Sequence, residues 1–253
     1  MKNLILLILT SFPFTIWGAT MHAIVITDTN PSDIGASVFL NQNHVIDQLH
    51  TIAKETDLTL KLTKIEGKNC LPRVLFNHVN KLTVNKDDVV FFYWNGHGFR
   101  THSKGKSNPW PSLYFSDVYQ GVDLKVVFDR LKAKQPRLLI ALADTCNSYI
   151  NWNPHMVRKA FPSFAPRVTI QRNYRELFLN TEGQIIASSS KPGEYSWCDF
   201  SSGGFFTTVF LANLTRETNS DNTSKWDHVF SEMAKEFQMR YWRYSQHPQW
   251  LIN

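Results

Sequence analysis

Cysteine is scarce in this chain: three in 253 residues, at Cys70, Cys146 and Cys198. So few thiols exclude a disulfide-stapled scaffold, and no Cys-x-x-Cys pair exists for a zinc ribbon or a thioredoxin-type redox site. The His-Glu-x-x-His spacing is also missing, and His44 and His50 do not share a helix face at i, i+4, so zinc chemistry has no support. No Gly-x-Ser-x-Gly elbow occurs, which removes the usual serine hydrolase. Long apolar runs are confined to the first residues and mean hydropathy is −0.27, which excludes a polytopic membrane protein. Repeats and low-complexity tracts are absent too, so collagen, coiled coil and disorder are excluded.

What is present in quantity is aromatic. Eighteen Phe, eight Trp and eight Tyr bring large apolar areas. A chain of this length can bury roughly 70 to 75% of the surface its unfolded form exposes. A sizeable core therefore forms without covalent staples.

Lys2 precedes Leu4 to Leu9 and then Phe12 to Trp17, followed by Gly18 and Ala19. This is the order of a signal peptide, with a basic start, an apolar stretch and small residues at a cleavage site, so residues 1–19 are expected to direct export to the periplasm or the medium and be removed. Membrane contact is then expected only during export; the alternative is an uncleaved N-terminal anchor. Without Lys2 the balance is 26 Lys and Arg against 21 Asp and Glu, a charge of +5 spread along the chain with no basic block. No nucleic-acid partner is expected. An odd number of cysteines in an exported chain leaves at least one thiol unpaired. Cys70 and Cys198 remain open as a pair, since sequence does not establish their geometry.

From His22 onward, short apolar runs alternate with helical periodicity. Strands are expected at His22–Thr27, Leu58–Ile65, Asp88–Trp94, Leu138–Ala143 and Gln184–Ser189. Helices are expected at Val38–Thr56, Leu71–Leu82, Val122–Lys134, Phe205–Leu214 and Trp226–Trp242, with Ser103–Pro111 a loop. The alternation predicts an α/β three-layer sandwich, a mainly parallel sheet of about six strands with helices on both faces. Residues 151–180 carry three prolines and a basic excess and read as an exposed linker between a first half, 20–150, and a second, 181–253, of one domain spanning 20–253.

Ligand chemistry in such sheets sits at the carboxyl ends of the strands. Two expected strand ends carry reactive groups: His97 between Gly96 and Gly98, and Cys146, forty-nine residues later. A thiol attacks as thiolate and a neighbouring imidazole can take its proton, so the two form a candidate catalytic dyad. The N–H groups of Gly98 and Cys146 are candidate donors to a tetrahedral oxyanion.

The segments HAIVITD, VVFFYWNGHG, LLIALADTCNS, IIASSSKPGEYSW and GGFFTTVFLANL, in this order and spacing, resemble the caspase and metacaspase family of cysteine peptidases (peptidase C14) over residues 22–252. The resemblance implies that His97 is the general base and acid, Cys146 the nucleophile, Gly98 an oxyanion donor, and Ser196 and Trp197 part of the substrate groove. It also implies protein or peptide substrates, and it brings calcium activation as a family trait, although no acidic cluster calls for it and the chemistry itself requires no cofactor.

Caspases hold an acidic P1 side chain with two arginines and a glutamine, and this chain lacks all three. No Arg occurs between Thr20 and Pro72, the glutamine position is Asp144, and the second arginine position is Cys198. A carboxylate there repels an acidic P1 residue and pairs with arginine or lysine. This is the metacaspase arrangement, an Asp-x-Cys motif. Metacaspases usually carry His where Asn147 stands and Ser or Thr where Asn95 stands; Asn95 is retained as a pocket candidate. For their second pocket aspartate, Asp33, Asn41 and Asp47 lie near the expected position, and Asp199 is a further acidic candidate. Arg158, Lys159, Arg167, Arg172 and Arg175 in the linker would be self-processing sites for an enzyme that cleaves after basic residues. The competing functional class is a catalytically weak or inactive caspase-like domain acting as an interaction module.

Overall fold

The structure, a computed structural model, describes residues 18–149 and 171–253. The expected alternation appears as β1 (Thr20–Thr27), α1 (Gly35–Thr56), β2 (Thr59–Glu66), α2 (Pro72–Lys81) and β3 (Val89–Asn95). After β3 come three short strands, β4 (Gly98–Phe99), β5 (Ser112–Phe115) and β6 (Gln120–Asp123), then α3 (Leu124–Lys132) and β7 (Leu138–Asp144). The remainder is α4 (Gln171–Phe178), β8 (Gly183–Ser188), the short pair β9 (Cys198–Asp199) and β10 (Gly203–Gly204), α5 (Phe205–Thr218), α6 (Trp226–Arg240) and β11 (Gln249–Ile252).

Six strands form the main sheet in the order β11-β8-β7-β3-β1-β2. All neighbouring pairs are parallel except β11 against β8. The central strands β1, β3 and β7 are buried at every residue, which explains their unbroken apolar runs. Edge strand β2 alternates instead, as a strand with one wet face should. Successive residues therefore serve opposite cores. Val25, Phe91, Tyr93 and Leu142 face α1, α4, α5 and α6, while Ile26, Phe92, Trp94 and Ala141 face α2, α3 and the β5–β6 hairpin. Fully burying one such side chain contributes about 1.5–3 kcal/mol.

Three expectations change. The helix read from Val122 begins at Leu124, because Val122 belongs to β6 and Asp123 caps the helix by accepting the Lys125 N–H at 2.9 Å. The linker read across 151–180 does not reach its stated end: Gln171–Phe178 is a helix whose Asn173, Tyr174, Leu177 and Phe178 are buried. Basic residues on its outer side disguise an i, i+3, i+4 apolar face. The remainder of that linker, with Arg158, Lys159 and Arg167, and the expected signal peptide up to Trp17 lie outside the described residues. Third, Cys70 and Cys198 are both free: Cys70 sits in the core beneath α2 and α3, whereas Cys198 opens onto the other side at the strand ends.

No helix among the described residues is long and apolar enough to cross a membrane. Both halves of the chain share the one sheet, since β7 of the first lies beside β8 of the second. That junction brings the C-terminal ends of β3 and β7 and the loop after β8 together.

Candidate active site

Parallel register places Thr27, Asn95 and Asp144 in one row across the ends of β1, β3 and β7. His97 and Cys146 each follow this row by two residues, so the register makes them neighbours in space despite their sequence separation. The two turns are tied directly: the Thr145 hydroxyl donates to the Gly96 carbonyl at 2.8 Å. Thr145 is itself held by Ser189, whose hydroxyl accepts from the Thr145 N–H at 2.8 Å and donates to its carbonyl at 2.7 Å. The result is a cleft lined by Asn95, His97, Asp144, Cys146, Ser196 and Trp197 among others, with a cavity volume of about 40 Å³. That is room for little more than water.

Six of the seven expected site residues line this cleft. Gly98 does not, but it packs behind Cys146. A Cβ there would lie 2.8 Å from the Cys146 carbonyl and 2.9 Å from the Ser112 carbonyl, and would overlap the Thr145 hydroxyl. The position thus tolerates glycine alone. Gly98→Ala is expected to force the His97 and Cys146 turns apart, with about 1–3 kcal/mol of lost stability and a fall in turnover larger than that loss explains. Thermal unfolding and steady-state kinetics on the variant check this, and unchanged kinetics would show that the close approach has no role.

The Cys146 thiol is hydrogen-bonded on both sides by Ser196, accepting from its N–H at 3.3 Å and donating to its carbonyl at 3.6 Å. Burial pushes the thiol up to about 11; the Ser196 N–H opposes that rise, and the carboxylates of Asp144 and Asp33 add to it. The resting group is therefore a protonated thiol, not a standing thiolate. Its alkylation by iodoacetamide is expected to keep climbing as pH rises past 9 toward 11. A rate that levels off by neutral pH would mean that the resting site already holds the thiolate.

Asp144, only 4% exposed, forms the floor. Its Oδ2 accepts from the Thr207 N–H at 3.1 Å, the Thr207 hydroxyl at 2.7 Å and the Asn41 amide at 3.4 Å, and its Oδ1 from the Ser196 hydroxyl at 2.9 Å. Burial holds its carboxyl above the ordinary aspartate range, with the Thr207 and Ser196 hydrogen bonds pulling the other way. Gly204 must be bare as well, because a Cβ there would overlap Asp144 Oδ2.

Asn95 is buried and donates to the Tyr93 hydroxyl at 3.0 Å. Asn147 is turned away from the cleft and holds the Pro109 carbonyl at 2.7 Å. Of the positions considered for a second pocket acid, Asn41 reaches Asp144, Asp33 reaches His97, and Asp47 points outward on α1. Asp199 accepts from Ser201 and Ser202 in its own loop.

Sequence reasoning missed Thr207, on the first turn of α5, and Gln246. Gln246 accepts from the Trp197 N–H at 2.9 Å and donates to Ser196 Oγ at 3.3 Å, so the C-terminal segment grips the groove loop. Glu194 adds a second grip, accepting from the His247 N–H at 2.9 Å and pairing with its ring. Nothing local to Ser196, which stands between Tyr195 and Trp197, hinted at this network. Among the described residues no group of three or more His, Cys, Asp or Glu is arranged to hold a metal ion, and no step is routed through one.

No curated protein matches the chain. The family model of the caspase domain of peptidase C14 matches residues 51–253, which includes both strand ends, the groove loop and the last strand of the sheet. Fold, strand-end chemistry and that match agree, and the chain belongs to the caspase-domain family of cysteine peptidases.

Proposed function

We propose that the protein is an exported cysteine endopeptidase that cleaves peptide bonds after arginine or lysine, closer in its Asp-x-Cys motif to metacaspases than to caspases. The observation that carries this reading is the buried carboxylate of Asp144 at the floor of the cleft that also holds the Cys146 thiol. An acidic P1 side chain would be repelled there, whereas a guanidinium or ammonium would form charge-assisted hydrogen bonds in a weakly screened site.

In the proposed reaction His97 takes the Cys146 thiol proton as Sγ attacks the scissile carbonyl carbon. The carbonyl electron pair moves to oxygen, where the N–H groups of Gly98 and Cys146 are the proposed donors. The C–N bond then breaks, the amine leaves with the proton from His97, and an acyl-enzyme remains. Water attacks that thioester, giving its proton to His97 and releasing the acid and the thiol. No cofactor enters this balance.

The Ser196 hydroxyl, which donates to Asp144 Oδ1 at 2.9 Å, is the group with which a basic P1 side chain would compete for that carboxylate. Self-processing is proposed only for Arg158, Lys159 and Arg167. Arg172 and Arg175 lie in a formed helix, where Arg172 also donates to the Asp221 carbonyl at 3.0 Å and Arg175 pairs with Asp57 at 3.3 Å. Export rests on the pattern of Lys2 to Ala19.

The raised thiol and the small cleft also favour a second reading, a caspase-like domain that binds without cleaving. Matched fluorogenic peptides with P1 Arg, Lys, Asp and Ala, together with a thiol-directed activity probe, separate the two. Turnover of the Arg and Lys peptides with labelling of Cys146 supports the peptidase. No turnover and no labelling transfers the function to binding, and preference for Asp sinks the pocket argument.

A further inference from the structure

Asp33 stands in the turn between β1 and α1, closed by the Gly35 N–H donating to the Pro31 carbonyl at 2.7 Å. An aspartate just ahead of a helix ordinarily caps it. Here the N-cap is Ile34 and no side chain caps the first turn. The Asp33 carboxylate instead faces the His97 ring, with Oδ1 at 3.2 Å and Oδ2 at 3.1 Å from Nε2. The pair is partly shielded, its side chains 23% and 32% exposed, and the adjacent Ile34 forms part of the cleft wall.

A carboxylate only accepts hydrogen bonds, so the imidazole nitrogen facing it must carry the proton. Nε2 is then the N–H and Nδ1 the bare nitrogen. We propose that Asp33 is the positioning residue of a Cys146–His97–Asp33 triad, fixing the tautomer in which Nδ1 takes the thiol proton. This rests on the reading of Cys146 and His97 as the reacting pair. The Sγ proton passes to Nδ1, the imidazolium is held between the acyl centre and Asp33, and the same proton leaves with the amine. Asp33 orients the ring and exchanges no proton with it.

The histidine ring of the resting wild-type protein is observed first, by 15N NMR with selectively labelled histidine and His97→Ala for assignment. An Nε2–H tautomer at His97 is expected, and an Nδ1–H tautomer overturns the proposal without any variant of Asp33. Asp33→Asn keeps the shape and removes the charge. It is expected to lower kcat about 10²- to 10³-fold with KM within about twofold, and to shift the tautomer population, the kind of loss a misplaced imidazole tautomer brings. Asp33→Glu restores the charge and should recover part of kcat. A merely structural role predicts instead that Asn and Glu behave alike and that neither moves the NMR signature. If Asp33→Asn retains kcat within threefold while His97→Ala and Cys146→Ala are inactive, the triad is wrong and the dyad stands. If His97→Ala also retains kcat, the reading of the dyad itself fails, and the triad with it.

Discussion

Cys146→Ala is expected to lower turnover of a P1-arginine peptide by on the order of 10⁵-fold, to the level left by binding and oxyanion stabilisation alone. No other thiol can take over. Cys70 lies in the core, where burial, with Asp28 and Asp117 adding to it, raises its thiol far above the usual range. Cys198 lines the same cleft but is held up to about 12, chiefly by burial, and does not follow a strand end beside His97. The substitution removes only the two Ser196 contacts of Sγ, so the fold should persist. Initial rates, the loss of probe labelling and an unchanged unfolding midpoint check the prediction. More than about a tenth of wild-type activity in a folded Cys146→Ala protein would remove Cys146 from the chemistry.

Asp144→Asn is expected to cost about 3–4 kcal/mol in kcat/KM for P1-arginine peptides, or roughly 10²- to 10³-fold, while a P1-alanine peptide changes little. An amide keeps the size and can still engage Thr207 and Ser196, but it presents no charge to the guanidinium. A purely structural Asp144 would instead reduce both substrates alike. The same carboxylate implies a pH dependence with a definite sign. Because burial raises the Asp144 pKa, acidification neutralises it at a higher pH than the ordinary aspartate value of about 3.9. KM for basic peptides should therefore rise on the acid side before KM for a P1-alanine peptide does, and a parallel rise for both would separate the titration from P1 binding.

The sheet was largely legible because buried parallel strands need unbroken apolar runs. DVVFFYW and LLIALA therefore announce central strands, and the helices between them announce themselves by period. The β5–β6 hairpin and β11 were not legible: SLYF, QGVD and QWLI are four-residue segments whose strand character comes from a partner elsewhere, Leu113 with Val122 and Trp250 with Ala187. In α4, QRNYRELF shows two turns of apolar face under a basic exterior, and charge outweighed period in reading it as linker.

By itself, the sequence determined the strand-helix alternation and where the central strands end, because period and strand termination are local properties of the chain; His97 and Cys146 were candidates from those strand ends, and Asp144 from the family resemblance. The tertiary structure alone decided the partners: Asp33 with His97, Thr207 and Asn41 with Asp144, Ser196 with both Asp144 and Cys146, and Gln246 with Ser196. These pairs are separated by 50 to 103 residues. No local periodicity encodes a contact at that separation; it arises only when packing on both faces of the sheet brings α1, α5 and the groove loop to the same strand ends.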